Sequence, residues 1–198
     1  MLKAPRAGFV KTRLARDIGE TDSLAAYRVL VERQMAALPE DWTAFVSFAP
    51  QDAEDEMQSW LGPHVQYLPQ CDGDLGTRLD HVARKLAGPL IFLGGDCPAL
   101  TRSRLIEAAE ALESTDLVIW PAEDGGYCLL GFRHRIPEIF SGVSWGTESV
   151  LQETLDRIPV GVTLRVMSPP LEDVDDLPSW QRALASGYMQ TLPESETT

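Results

Sequence analysis

The sequence predicts an α/β fold: one open, mostly parallel sheet with helices on its faces. Segments whose apolar residues recur every three or four positions alternate with short β-branched and aromatic runs, and that alternation within one domain implies a parallel sheet with crossover helices. Leu90–Leu93 is an unbroken apolar run ending in Gly94-Gly95-Asp96, the signature of a strand covered on both faces and the expected centre of the sheet. The length of 198 residues fits one domain at roughly 150 residues each, assigned to 1–192, with an acidic disordered tail over 193–198.

From Leu24 the spacing of Leu24, Tyr27, Val31, Met35 and Leu38 predicts a helix capped by Asp22 and stopped by Pro39. Trp42 to Phe48 reads as a strand, 51–60 as an acidic surface helix, and His64 to Leu68 as a second strand. Leu75, Leu79, Val82, Ala83 and Leu86 mark the next helix, which leads to the strand at Leu90. Thr101 caps a helix with Leu105, Ala108, Ala109 and Leu112 on its inner face. Strands follow at Leu117 to Trp120 and, across a glycine turn, at Tyr127 to Phe132. Thr147 to Leu155 is a helix, Val162 to Met167 a strand and Ser179 to Ala185 a last helix. A strand is also expected before the basic segment 3–13, where only Met1 and Leu2 stand, so the first strand reads as truncated.

With 44% hydrophobic and 24% charged residues the composition is globular, which excludes collagen-like, coiled-coil and disordered classes. Cys71, Cys97 and Cys128 are odd in number and contain no Cys-x-x-Cys pair, so neither a disulfide framework nor a zinc knuckle is expected, and a cytoplasmic location is. No apolar run approaches the ~18 residues of a membrane span. A net charge of −13 opposes a nucleic-acid surface. The charge is uneven, because Lys3, Arg6, Lys11, Arg13 and Arg16 lie in a stretch without an acid, which implies a small anion-sized basic spot.

That basic segment, with Gly8 and exposed amides ahead of a helix start, suits phosphate, although Val10 stands where a Walker A glycine would be. Asp96 ends the most apolar strand, where a carboxylate is costly unless paired or metal-bound, and Mg2+ or Mn2+ ligation competes with a helix-capping role. Asp173-Val174-Asp175-Asp176 supplies further carboxylates that matter only if their loop folds back onto Asp96. Glu123 and Asp124 precede Gly125 and Gly126, which serves either a close ligand approach or a tight hairpin. Gly142-Val143-Ser144-Trp145-Gly146 matches a nucleophile elbow, but His64, His81 and His134 all lie upstream of Ser144, which argues against a serine hydrolase.

In chain order, Lys3 to Ala15, Gly73-Asp74-Leu75-Gly76-Thr77-Arg78-Leu79, Gly94 to Pro98, Pro121 to Tyr127 and Ser144-Trp145-Gly146-Thr147 resemble bacterial nucleotide-diphospho-sugar transferase-like proteins of the GT-A fold, specifically glycosyltransferases of the arsenosugar-biosynthesis type. The resemblance implies that Lys3, Pro5, Gly8, Lys11 and Arg13 hold nucleotide phosphates. Gln70 with Leu75, Gly76 and Thr77 would lie near base and ribose, and Gly125 and Gly126 would approach the ligand. It further implies a divalent cation on Asp96, Asp173 and Asp175, and Glu123 and Asp124 facing sugar or acceptor, with Asp124 as the base. The function expected is metal-dependent transfer of a sugar from a nucleotide-diphospho-sugar to a small-molecule acceptor. Two alternatives stand beside it: a nucleotidyltransferase resembling phospholactate and molybdenum-cofactor guanylyltransferases, which would use a nucleoside triphosphate, and a non-catalytic nucleotide-binding protein.

Overall fold

Short β-branched and aromatic runs become strands, and the longer amphipathic stretches between them become helices. The computed structural model describes residues 1–86 and 88–189, so the tail expected over 193–198 lies outside the described residues. The strands are β1 (Leu2–Lys3), β2 (Phe45–Ala49), β3 (Gln66–Pro69), β4 (Leu90–Leu93), β5 (Leu117–Pro121), β6 (Tyr127–Phe132) and β7 (Leu164–Val166). The helices are α1 (Thr12–Ala37), α2 (Glu54–Leu61), α3 (Leu75–Lys85), α4 (Arg102–Ser114), α5 (Val150–Leu155) and α6 (Leu177–Ala185).

Pairing falls into two hydrogen-bonded groups: β1-β2-β3, all parallel, and β4-β6-β5-β7. In the second group β5 and β7 are parallel, whereas β6 runs antiparallel to both β4 and β5 because the turn at Asp124-Gly125 returns the chain as a hairpin. The groups touch where the Met1 amine donates to the Leu93 carbonyl at 3.2 Å. Burial lowers the pKa of that amine to about 6.

The core follows the period-two alternation of the strands. Leu117 and Ile119 of β5 face α3 through Leu79 and Ala83, together with a 3-10 turn at Pro137–Phe140 that the sequence reading did not anticipate. Val118 and Trp120 face α4 through Leu105, Ala108 and Leu112. In the first group Val46 and Phe48 pack with Tyr27 and Val31 of α1 and Met57 and Leu61 of α2. Leu14, Ala26 and Leu30 on α1 meet Trp180 and Ala183 of α6.

The first strand is short, as expected: two residues, pairing Leu2 with Phe48 and Lys3 with Ala49. Two expectations change. The first helix starts at Thr12, not after Asp22, and is interrupted at Gly19 (φ 83, ψ 164). Its opening turns are mostly polar and carry too few apolar residues to show a period. The centre of burial is β5, whose five residues are all buried, while β4 is only half-buried along its length despite its composition. Beside β4, on the side of the short β1, a cavity of about 880 Å³ is lined by Val31, Val46, Ser47, Val82, Leu90 and Phe92.

Candidate active site

Ligands of open α/β sheets sit beyond the carboxyl ends of the strands, and the loops after β1, β4, β5 and β7 carry most of the chemistry-bearing residues. The backbone N–H of Val174 donates to the carbonyl of Asp96 at 2.9 Å, which brings the loop after β7 onto the loop after β4. Carboxylate oxygens of Asp96, Asp173 and Asp175 thereby lie within 4.8 Å of one another. The sequence left open whether these loops meet, and they do.

The three acids are half-buried. Burial pushes the Asp173 carboxyl up to about 6, aided by the charges of Asp96, Asp124 and Asp175. Asp175 is oriented by α6: its N–H donates to Ser179 Oγ at 3.0 Å, while Asp176 and Ser179 form a reciprocal capping box at the helix start.

Lys11 enters this centre. Its Nζ donates to Asp96 Oδ2 at 3.0 Å and to Asp175 Oδ1 at 2.9 Å, and its side chain is only 6% exposed. Burial alone would lower the amine's pKa, but the Asp96 and Asp175 carboxylates outweigh it and raise the pKa. Lys11 adopts the left-handed region (φ 45, ψ 45) at the junction between the basic loop and α1, and that turn directs the chain into the helix. The Lys11 ammonium thus occupies a cation position among oxygen donors suited to a hard divalent ion. Arg13 is largely exposed and reaches Asp175 Oδ2 at 3.4 Å.

The rest of the basic loop is held by its ends. The Tyr27 hydroxyl accepts from the Lys3 N–H at 3.0 Å and donates to the Lys3 carbonyl at 2.8 Å, leaving the Lys3 residue exposed. Pro5 is buried and Gly8 exposed, while Arg6 pairs with Glu56 of α2 at 2.9 Å.

Glu123 and Asp124 lie in the β5–β6 turn, where Asp124 Oδ1 accepts from the Gly126 N–H at 2.8 Å. The turn is tied to the acidic loop, because the Glu123 N–H donates to the Leu171 carbonyl at 3.0 Å. Gly125 has φ 89, and a Cβ there would run into the Glu148 carbonyl. Glycine is therefore required twice over, by conformation and by the close approach of the loop before α5.

Gln70 is buried and its amide donates to the carbonyls of Ser47 (2.9 Å) and Leu2 (3.2 Å), while Arg78 donates to its Oε1 at 3.3 Å. Leu75, Gly76 and Thr77 form the first turn of α3, where Asp74 Oδ1 accepts from the Thr77 N–H and Oγ1. A Cβ on Gly76 would strike the Phe140 carbonyl and come within 2.6 Å of Trp145 Nε1. Ser144 follows the 3-10 turn and a coil, not a strand, and its N–H donates to Glu153. The sequence reading missed Tyr27, Arg78 and Ser179; Tyr27 was visible only as one apolar position in a helical stripe.

Residues 33–147 match the family described as "Uncharacterized protein conserved in bacteria (DUF2064)". No curated protein matches the chain. Among solved structures, the chain is similar to a protein from Desulfovibrio desulfuricans G20 described provisionally as a nucleotide-diphospho-sugar transferase. The two are 27% identical over 99% of this chain and 87% of that one, with a TM-score of 0.87. It is also similar to 4-diphosphocytidyl-2C-methyl-D-erythritol synthase from Anaerococcus prevotii DSM 20548, at 13% identity and TM-score 0.60 over 93% of this chain and 95% of that one. A third is CMP:2-keto-3-deoxy-manno-octonic acid synthetase complexed with CTP, at 14% identity and TM-score 0.58 over 94% and 96%. The last two likenesses show a shared fold. No helix among the described residues is long and apolar enough to cross a membrane.

Proposed function

The chain belongs to the DUF2064 family, and from that membership and the acidic centre we propose that it is a transferase acting on a nucleotide-diphospho-sugar. The observation that carries the reading is the convergence of Asp96, Asp173 and Asp175 on Lys11 at the carboxyl ends of the strands. Support also comes from the similarity to the protein described provisionally as a nucleotide-diphospho-sugar transferase. Within this reading the donor is a sugar nucleotide and the chemistry resembles that of arsenosugar-biosynthesis-type glycosyltransferases.

Asp96, Asp173 and Asp175 would hold a magnesium or manganese ion, whose chemistry when bound is to neutralise charge on the donor diphosphate. The donor set fits such an ion, because all three groups are carboxylates and an ammonium already sits between two of them. Lys11 and Arg13, with the exposed loop from Lys3 to Gly8, supply positive charge and amides to the phosphates. Gln70 ties β1 to β2 through the Leu2 and Ser47 carbonyls, and the first turn of α3 at Leu75, Gly76 and Thr77 borders the base and ribose side. Asp124 takes the proton from an acceptor hydroxyl, whose oxygen bonds to the anomeric carbon as the bond to the diphosphate breaks. Glu123, Gly125 and Gly126 shape the acceptor side.

A second reading, transfer of a nucleotidyl group with release of pyrophosphate, is favoured by the shared fold with two nucleotide-using synthetases. Products decide between them. The protein is incubated with a panel of nucleotide-diphospho-sugars and alcohols, and separately with nucleoside triphosphates and sugar phosphates. Free nucleoside diphosphate from the first panel, lost in Asp96→Ala, is the expected result. Pyrophosphate from the second overturns sugar transfer, and tight nucleotide binding without turnover in either overturns catalysis.

A further inference from the structure

The acidic centre contains a cation that belongs to the chain. Lys11 Nζ lies 3.0 Å from Asp96 Oδ2 and 2.9 Å from Asp175 Oδ1, with its side chain only 6% exposed. It bonds to two of the three clustered acids and not to Asp173. One ammonium therefore faces three carboxylates, and the exposed Arg13, at 3.4 Å from Asp175 Oδ2, is well screened by solvent. The remaining negative charge attracts a second cation, but the acids that a divalent ion would use include the two that Lys11 holds. Two cations sharing oxygens at about 3 Å repel each other strongly in a partly buried site, so one must leave.

Local structure makes Lys11 the cation that can leave. Val10 and Leu14 near it in the chain are buried, at 3% and 0% exposure, and fix the backbone. Lys11 is the only non-glycine residue with positive φ among the described residues, a conformation kept where its surroundings impose it. The ammonium can therefore change partners by rotation about its flexible stem, with the chain held still. Once off the carboxylates it is a cation at the edge of a partly buried site, and an anion is what stabilises it there. A diphosphate that brings oxygens to the same metal brings that anion to the side chain.

We infer that Lys11 is an exchangeable counter-ion: a divalent cation displaces its ammonium from Asp96 and Asp175, and the freed ammonium pairs with the diphosphate of the donor. The inference rests on the transferase reading above, in which the three acids hold magnesium or manganese, and adds the coupling between metal and donor. Metal alone must break two charged hydrogen bonds and strand an ammonium, so it binds weakly. Metal and diphosphate together leave the ammonium and the acids paired. By linkage each ligand then strengthens the other, and the site does not stay loaded with metal while the donor is missing. Sugar transfer and nucleotidyl transfer need this coupling equally, so it holds for either product.

The test follows binding of Mn2+ alone, by electron paramagnetic resonance of the free ion, in wild type, Lys11→Met and Arg13→Gln. Lys11→Met keeps most of the stem and loses the charge, and it is expected to bind Mn2+ about tenfold tighter than wild type or more. Arg13→Gln removes the same charge from the exposed edge of the centre and is expected to change the affinity about threefold or less. A second measurement uses wild-type protein labelled with nitrogen-15 at its three lysines, with the Lys11 ammonium resonance assigned by its loss in Lys11→Met. That resonance is expected to vanish into exchange with water when Mg2+ is added and to return at a new position with Mg2+ and inorganic pyrophosphate. Equal Mn2+ affinity in wild type and Lys11→Met, or an equal gain in Arg13→Gln, overturns the exchange and leaves the transferase reading intact. So does a Lys11 resonance that stays in place as Mg2+ binds or fails to return with pyrophosphate. Mn2+ bound by none of the three proteins overturns the exchange together with the cation site.

Discussion

Lys11 stands in the basic segment where the sequence suggests a phosphate ligand, yet its ammonium is bound between Asp96 and Asp175 and nearly excluded from solvent. Lys11→Ala would leave three neighbouring carboxylates without their cation, and removing one partner of a buried pair costs roughly 3 to 5 kcal/mol, less here because the acids are half-exposed. Chemical denaturation should show a loss of about 2 kcal/mol without metal, largely recovered by millimolar Mg2+ if the acids bind it. Asp173 gives a pH signature. Its folded pKa, about 6, lies above the ordinary 3.8, so the folded state binds the proton more tightly between those values. The contribution is present at low pH and is lost as pH rises through about 6. Asp173→Asn should therefore flatten the wild-type fall between pH 4 and 6 and gain about 1 kcal/mol at pH 7 without metal, allowing for solvent access. A variant that tracks the wild type across that window would place the strain elsewhere. The identities of the acidic residues were legible because carboxylates after strands are conspicuous; their convergence was not, since it depends on the bond from Val174 to Asp96, which has no local signature.

Elements whose apolar residues repeat cleanly were read closely. Leu90–Leu93 has the bounds expected of it, and α3 and α4 lie where their stripes put them. The opening of α1 escaped notice because Thr12 to Asp22 presents few apolar residues, and Gly19 divides it from the amphipathic part that follows. The capping box of α6 also departs from the usual signature, with Asp176 and Ser179 in place of a hydroxyl residue followed by Glu or Gln. The β5–β6 turn gives an element-scale prediction. Gly125→Ala combines an unfavourable φ with a collision against the Glu148 carbonyl, and it should destabilise the protein by about 2 to 4 kcal/mol, measured by denaturant midpoint. Because the turn also carries Asp124, Asp124→Asn separates the roles. Its Oδ1 can still accept from Gly126, so stability should change little, whereas turnover should fall at least ~100-fold if Asp124 is the base.

At the scale of the whole molecule, the expected α/β architecture is present, but its pairing into two groups was hidden because strand order is set by contacts distant in sequence. The net charge of −13 works against binding a polyphosphate anywhere except near the basic loop, so the salt dependence of nucleotide affinity should be modest in the wild type and lost in Lys11 and Arg13 variants. Calorimetry at two ionic strengths checks this; an affinity that collapses with salt in both variants would point to a different site. The bond from Lys11 to Asp175 spans 164 positions, and Asp175 is oriented by a helix that ends at Ala185. During synthesis, therefore, the ribosome must release nearly the entire described chain before the acidic centre can assemble. Nascent chains stalled before α6 emerges would carry the basic loop and Asp96 without their partners, and an arrested-ribosome series should acquire nucleotide retention only once that last helix has cleared the exit tunnel.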